Sequence, residues 1–483
     1  MSAPTHDDDD DPQGPRLTTD AALSPEAFRR RGHALIDVLA DYLSRALDGA
    51  LPVIEWRDPA VLATLWPADI GSTPNHDDGW LLRVLADAVH QHHPRCVGHQ
   101  VAVPWPDAAL NEVVLGLLNN GMAAYESGPI SSALERNVVR WFCARAGMGP
   151  DADGVLTSGG TLGTLTSLLA ARHAAGEYDP EHGGGHLSAV LTSVHGHYAV
   201  RRAATVMGWG RAGVIGVPVD ACGRMDPEAA ARAVANARTR DRRVVAIVAT
   251  ASNSVTGAYD PIAELADLAA REGLWLHVDG AHGASALMSR KYRHRLEGVE
   301  RADSLVWDAH KLLGLPALAT AVLFRRGATS FAPFAEDADY LYRDDAPPER
   351  WYDYGVRNLE CTKRMMSVAV YAALRRLGTD TLDRVITSRF DLAADFATAL
   401  AAHPDFELAV APEGNIVTFR YAPAGVVVPH AEQDRRREAV NRSGAFYFTR
   451  ATIDGVPWMR VTLMHPQTTA TDLEALLAAV AAA

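Results

Sequence analysis

Residues Val244–Gly280 read VVAIVATASNSVTGAYDPIAELADLAAREGLWLHVDG. Val244–Ala249 is an unbroken apolar run rich in β-branched residues, and it breaks into the polar Ser252-Asn253-Ser254. From Pro261 to Glu272 the apolar residues Ile262, Leu265, Ala266, Leu268 and Ala269 recur at helical spacing. A second short apolar run, Trp275–Val278, ends on Asp279-Gly280. Two apolar strands joined by a helix are the pattern of parallel neighbours covered on both faces. The pattern extends outward. Runs at Val155–Thr157, Ala189–Thr192, Val214–Val217, Leu305–Trp307 and Ala321–Phe324 complete the strand set. Helical stretches at Leu162–Ala171, Ala199–Met207 and Pro227–Ala237 lie between them. The expected fold class is α/β, with a mostly parallel central sheet.

The flanks of this region read differently. Ser24-Pro25 is an N-cap followed by proline at the first helical position. Phe28, Leu35, Ile36, Leu39, Tyr42, Leu43 and Leu47 then give the helix one apolar face. Helices are expected at Ala108–Ala124 and at Ser131–Ala146, the second capped by Ser131 or Ser132. Phe331–Tyr354 reads as a long loop, followed by helices at Lys363–Leu377 and Thr381–His403. Strands near Phe406–Val410, Ile416–Tyr421 and Trp458–Met464, with a closing Ala/Leu helix, make a small α+β domain. The expected division is a disordered acidic tail over 1–22, an N-terminal segment over 23–95, a large domain over 96–377 and a small C-terminal domain over 378–483.

Composition narrows the class. The chain has 483 residues and a net charge of −13, part of it in the unbroken run Asp7–Asp11. A net-negative protein repels a phosphate backbone, so nucleic acid is not an expected partner. Cys96, Cys143, Cys222 and Cys361 are scattered, which is no disulfide framework. No apolar run approaches the length that spans a bilayer, and the start carries no basic-then-apolar signal region. A cytoplasmic protein without a membrane partner is expected.

Four features fall at strand ends, where open α/β sheets bind ligands. Thr157-Ser158-Gly159-Gly160-Thr161 joins a strand to a helix and suits an anion; a tight turn that needs glycine explains it equally well. His195-Gly196-His197-Tyr198 offers an imidazole for stacking or proton transfer. No third ligand lies near its two histidines, so no metal is expected. Asp279 ends an apolar strand, where it suits a cationic ring nitrogen or caps a helix. His277 reads as a hydrogen-bonded core histidine, and His282 as cavity-lining or structural. The fourth feature is Trp307-Asp308-Ala309-His310-Lys311, a lysine at a strand end; desolvation there activates an amine for a Schiff base. An anion cradle, a stacking ring, a strand-end acid and a strand-end lysine are together the parts that pyridoxal phosphate requires.

With these residues in place, the sequence resembles the group II pyridoxal-phosphate decarboxylases, the aromatic-amino-acid and glutamate decarboxylase family. The resemblance runs from the helix after Ser24 almost to the C-terminus. It is strongest around Asp279, Lys311 and Asn358-Leu359-Glu360-Cys361. It implies fold type I, the aminotransferase-like fold, and a homodimer with active sites at the interface. It implies that Lys311 forms the Schiff base with pyridoxal 5'-phosphate and that Asp279 pairs with its ring nitrogen. His197 would stack on the ring and Ala281 would pack on the other face. Gly160 and Thr161 would hold the phosphate, with His310 nearby. Arg460 resembles the arginine that meets the substrate carboxylate; a surface ion pair is the plain alternative. A loop tyrosine would deliver the proton, and Tyr340, Tyr342, Tyr352 and Tyr354 are the candidates, with Tyr352 and Tyr340 put forward. Three departures stand out, one of them a loop shorter than in glutamate decarboxylases, with Pro347-Pro348 near where the catalytic tyrosine would fall. The family's usual Gly-Thr-Thr reads Ser252-Asn253-Ser254, so Ser254 would make an altered cofactor contact. Thr161 stands where many members carry serine.

The implied activity is decarboxylation of an L-amino acid to its amine and carbon dioxide. The alternative on the same scaffold is an oxidative aldehyde synthase. His99 and Gln100 in the loop Arg95–Gln100 lean the substrate toward a small polar or acidic amino acid, although they equally serve to satisfy loop backbone groups.

Overall fold

Strand-forming runs between Asp153 and Phe324 assemble into one seven-stranded sheet. They do so in a computed structural model that describes residues 23–66, 70, 79–179, 181–184, 188–334 and 350–483. The chain forms two compact units, Met1–Cys96 with Glu438–Tyr447, and Val97–Arg437 with Phe448–Ala483.

The first unit contains helices α1 (Pro25–Leu47), α2 (Pro59–Thr64) and α3 (Gly79–Asp87). Ser24 caps α1 by accepting a hydrogen bond from the amide of Ala27 at 3.2 Å. Only Ala46 of α1 is buried within the chain. Of its apolar face, Phe28, Leu35 and Ile36 are exposed, and Leu39, Tyr42, Leu43 and Leu47 are half-buried. Inside this unit the Val53 amide donates to the Gly444 carbonyl at 2.8 Å. Tyr42 meets His90 at 3.2 Å.

The second unit begins with α4 (Pro106–Leu118) and α5 (Pro129–Arg145). Helix α4 stops six residues short of the expected Ala124, because Asn119 turns left-handed (φ 46°) and ends it. Helix α5 starts two residues earlier than expected. Gly128 precedes it, no side chain caps it, and Ser131 and Ser132 are buried in its first turn. Then follow β1 (Asp153–Thr157), α6 (Gly160–Ala174), β2 (Ser188–Ser193), α7 (Ala199–Val206), β3 (Val214–Val217), α8 (Pro227–Thr239), β4 (Arg243–Thr250), α9 (Ile262–Glu272), β5 (Trp275–Asp279), β6 (Ser304–Asp308) and β7 (Thr320–Phe324).

The sheet order is β1-β7-β6-β5-β4-β2-β3. Strands β3, β2, β4, β5 and β6 are parallel, and β7 runs antiparallel to both β6 and β1. The carboxyl ends of β1, β2, β4, β5 and β6 therefore share one edge of the sheet. Apolar helices pack on it, so the central strands β4, β5 and β6 are buried almost end to end. This is the mostly parallel α/β sheet of fold type I.

Helix α10 (Met366–Ala402) contains a break at Gly378 (φ 68°) that separates its two helical stretches. A second, antiparallel sheet has the order β10-β11-β9-β8, built from β8 (Phe406–Leu408), β9 (Ile416–Tyr421), β10 (Thr449–Ile453) and β11 (Val456–Thr462). Strand β10 is not expected from the sequence. Its residues Thr449, Arg450, Ala451, Thr452 and Ile453 alternate in burial but carry too few apolar side chains to announce a strand. Helices α11 (His430–Arg442) and α12 (Ala470–Ala482) complete the chain.

Candidate active site

At the shared carboxyl edge lies a cavity of about 330 Å³. Its wall includes Ser158–Thr161 after β1, His197 after β2, and Thr250, Ser252 and Ser254 after β4. Asp279, Ala281 and His282 after β5, and Asp308, His310 and Lys311 after β6, complete it together with Gln100 and Leu318. Hollows of about 490 and 710 Å³ elsewhere on the chain lack this set of residues.

Lys311 is held in place by its own turn. Its Nζ lies 3.1 Å from Oδ2 of Asp308, three residues earlier at the end of β6. The same carboxylate accepts from Thr320 Oγ1 at 2.7 Å and lies 3.5 Å from His310 Nε2. Asp308 is 2 % exposed, so it is a buried carboxylate with three donors around it. Asp279 is also buried, and its Oδ1 accepts the Ala281 amide at 3.2 Å.

The glycine turn is shaped for close approach. Gly159 sits at φ +129°, a backbone angle that other residues rarely adopt. A Cβ on Gly160 would meet Asp308 Oδ1 at 3.1 Å and the Ala281 methyl at 3.2 Å. Helix α6 starts there, so its first amides have no partners inside the helix, and Gly160 and Thr161 line the cavity.

The histidines separate by environment. His197 takes the Ala199 amide on Nδ1 at 3.3 Å. Burial lowers its pKa below the usual value, against the pull of Asp279. His282 hydrogen-bonds Asn415 Oδ1 through Nε2 at 2.8 Å, and burial pushes its pKa down to about 3. His277 is fully buried, bonded to Ser304 Oγ at 2.9 Å, with its pKa lowered to about 4 by the same cause. It is the core histidine that its sequence position implies.

Asp308 and Thr250 have no role assigned from the sequence, and Ser252 enters there only as part of the altered run Ser252-Asn253-Ser254. The spacing Asp308-x-x-Lys311 is a readable signal, because it places a carboxylate one turn from the amine. Thr250 carries no such pattern. Arg460 is 7 % exposed, so the surface-ion-pair alternative does not hold. It donates to Thr449 Oγ1 at 3.1 Å and to the carbonyl of Ser254, a residue that lines the cavity. Arg460 and His99 do not themselves line the cavity. Tyr352 packs edge-on against Tyr125, with centroids 5.6 Å apart. Tyr354 is fully buried away from the cavity, against the carbonyl of Ser132. Tyr340 and Tyr342 lie outside the described residues, as does most of the loop Phe331–Tyr354 and the acidic run Asp7–Asp11.

The cavity fits pyridoxal phosphate on its own chemistry. The hydroxyls of Thr250 and Ser252 and Nδ1 of His282 are buried there with no partner. Such groups call for a polar ligand. An amine, a strand-end carboxylate and an anion-binding helix start line one pocket, which defines a pyridoxal-phosphate enzyme of the α/β class.

Residues 81–422 match the model of the pyridoxal-dependent decarboxylase conserved domain. The chain is 33% identical over 392 residues to the L-2,4-diaminobutyrate decarboxylase of Rhizobium meliloti (strain 1021), covering 80% of this chain and 77% of that one. It is 33% identical over 336 residues to the L-aspartate decarboxylase dtxS4 of Metarhizium robertsii, covering 69% and 67%. The crystal structure of mouse CSAD superposes with a TM-score of 0.84 at 26% identity, covering 93% of this chain and 98% of that one. The chain belongs to the pyridoxal-dependent decarboxylase family and is a pyridoxal-phosphate-dependent amino acid decarboxylase.

Proposed function

We propose that this enzyme decarboxylates a short acidic or polar L-amino acid to its amine, with Lys311 as the residue that binds the cofactor covalently. The observation that carries the residue assignments is the convergence of Lys311, Asp279, His197 and the Ser158–Thr161 turn on one cavity. Asp279, buried at its strand end, keeps a proton on the ring nitrogen. The α6 start, with Gly160 and Thr161, holds the phosphate. Ala281 and His197 bound the ring, and His310 and Ser254 stand beside it. Bound there, pyridoxal phosphate supplies a protonated ring that accepts the electron pair released as carbon dioxide departs.

The chain's own groups do the rest. Asp308 orients the Lys311 amine before substrate arrives. Arg460, bonded to the carbonyl of Ser254 in the cavity wall, would reach the substrate carboxylate from behind that wall. The proton returned to the substrate carbon would come from a tyrosine such as Tyr352 or Tyr340, or from His197 once it has taken up a proton.

Support for the substrate class comes from two sides. Among the described residues, Gln100, Ser254 and Leu318 line the cavity without a large aromatic. The similar enzymes act on diaminobutyrate and aspartate, whose side chains are short and charged.

A homodimer is part of the same proposal. Its support is apolar surface that this chain leaves exposed on α1 and α4. The segment 23–95 would serve dimerisation, 96–377 would bind the cofactor and 378–483 would form the small domain. A cytoplasmic location is supported by four cysteines without a disulfide.

The test is purified protein with pyridoxal phosphate and a panel of L-amino acids, with carbon dioxide, amine, aldehyde and peroxide all measured. We expect carbon dioxide and amine from a short acidic or polar substrate, and loss of cofactor absorbance and turnover in Lys311→Ala. Full activity in that variant refutes the Lys311 assignment. Aldehyde with peroxide replaces the amine-forming reading by the oxidative one.

A further inference from the structure

Strand β1 lies at the edge of the seven-stranded sheet, paired only with β7. An edge strand leaves every second residue with an amide and a carbonyl facing away from the sheet. At Leu156 both of these groups are taken by side chains. The amide donates to Glu135 Oε1 at 2.8 Å, and the carbonyl accepts from Lys363 Nζ at 2.6 Å. Glu135 and Lys363 also bond each other. The two side chains thus stand in for a missing neighbour strand, one residue before Thr157 and the glycine turn.

The pair is fully dehydrated, with side-chain exposures of 0% and 1%. Burial pushes the Glu135 carboxyl up and the Lys363 amine down, and each partner's charge resists the shift of the other. The Lys363 amine also lies 4.7 Å over the Tyr354 ring. Neighbouring residues of the same segment hold β1 at two more points. Arg357 lies 3.3 Å from Asp153 at the start of the strand, and Glu360 accepts the Ser158 amide at 3.3 Å just beyond its end. Residues 357–363 therefore form a strap along the open edge, tied at Asp153, Leu156 and Ser158.

A buried ion pair is seldom retained for stability alone, because two well-packed apolar residues stabilise a core as well. What apolar residues cannot do here is hold the Leu156 amide and carbonyl. We propose that Glu135 and Lys363, with Glu360, are positioning residues that set the register of the β1 end and so the grip of the Ser158–Thr161 turn on the cofactor phosphate. This rests on the reading of that turn as the phosphate site.

The test compares two ligands on the full-length protein stripped of cofactor: pyridoxal phosphate, and pyridoxal, which lacks the phosphate. The main variant is the double Glu135→Leu, Lys363→Met, which keeps the pair's volume. Wild type is expected to bind pyridoxal phosphate far more tightly than pyridoxal. The double variant is expected to lose roughly ten- to hundred-fold of that preference, with the pyridoxal Kd changed by less than about two-fold. Should the double variant not fold, Glu360→Ala tests the same strap. It is expected to lose a few-fold of the preference, and Glu360→Gln, which keeps the acceptor, to restore it. A variant that folds and retains the wild-type preference overturns the proposal. So does an equal weakening of both ligands, which would mark a support role for the whole site. A wild type without preference between the two ligands refutes instead the phosphate reading of the turn.

Discussion

The carboxyl edge of the seven-stranded sheet and the outer face of α4 depart from the ordinary burial rule in opposite directions. At the sheet edge, polar groups are buried: Thr250, Ser252, Asp279, His282 and Asp308 are all at most 6 % exposed. On α4, apolar groups are exposed: Leu110, Val113, Val114, Leu117 and Leu118 are all close to half exposed or more, with Leu117 at 70%. Single exposed apolar residues are ordinary, but five on one short helix are a contiguous patch. Buried polar groups without partners call for a ligand, and a contiguous apolar patch calls for a protein surface. In the proposed reading, the cofactor answers the first departure and a partner subunit the second.

The largest expected effect tests the buried side of this contrast. Asp279→Asn keeps the shape of the strand end but removes the charge proposed to hold a proton on the ring nitrogen. Turnover is expected to fall roughly 10²- to 10³-fold, read from initial rates at saturating cofactor. A loss below about two-fold would mean that the carboxylate is structural.

The buried histidines should make the fold sensitive to acid. In the folded chain His277 and His282 stay neutral down to about 4 and about 3, against an ordinary value of 6.5. Below 6.5 the unfolded chain takes up protons on both rings and the folded chain does not. Stability is therefore whole above 6.5 and falls as pH drops toward 4. The slope is about 1.4 kcal/mol per pH unit for each ring. Denaturant melts across this window should show it, and His277→Gln should remove one ring's share. A flat profile would mean that the rings are reached by water.

The smallest effect concerns the exposed face. Leu117→Asp on α4 is expected to weaken self-association by about ten-fold while leaving far-ultraviolet dichroism unchanged. Light scattering across a concentration series reads it. A wild type that is monomeric at every concentration removes the partner-subunit explanation of the patch.

Much of this was legible in the sequence, for reasons that differ by residue. The parallel strands were legible because strands buried on both faces are apolar throughout, as in Val244–Ala249. Asp279 was legible because it ends such a run, and Lys311 because it follows another by three residues, where a charged residue has no packing reason to stand. The core role of His277 followed from its place inside a strand. The start of α5 was misread because Ser131 and Ser132 have capping chemistry, yet Pro129 fits the first helical turn and leaves both serines buried beyond the cap. Strand β10 was missed because its pairing with β11, and not its own composition, makes it a strand.

By itself, then, the order of residues along the chain determined the α/β class, the strand ends that carry chemistry and the kind of cofactor they suit. These depend on local periodicity and on what stands where a periodic run stops. Only the tertiary structure decided that Arg460 is buried against Thr449 and Ser254, that Asp308 steadies Lys311, and that Glu135 and Lys363 close the open edge of β1. Residues 135 and 363 stand far apart in sequence and neither belongs to the strand they complete. No local pattern records which backbone groups a sheet edge leaves unpaired; that follows from the strand order alone.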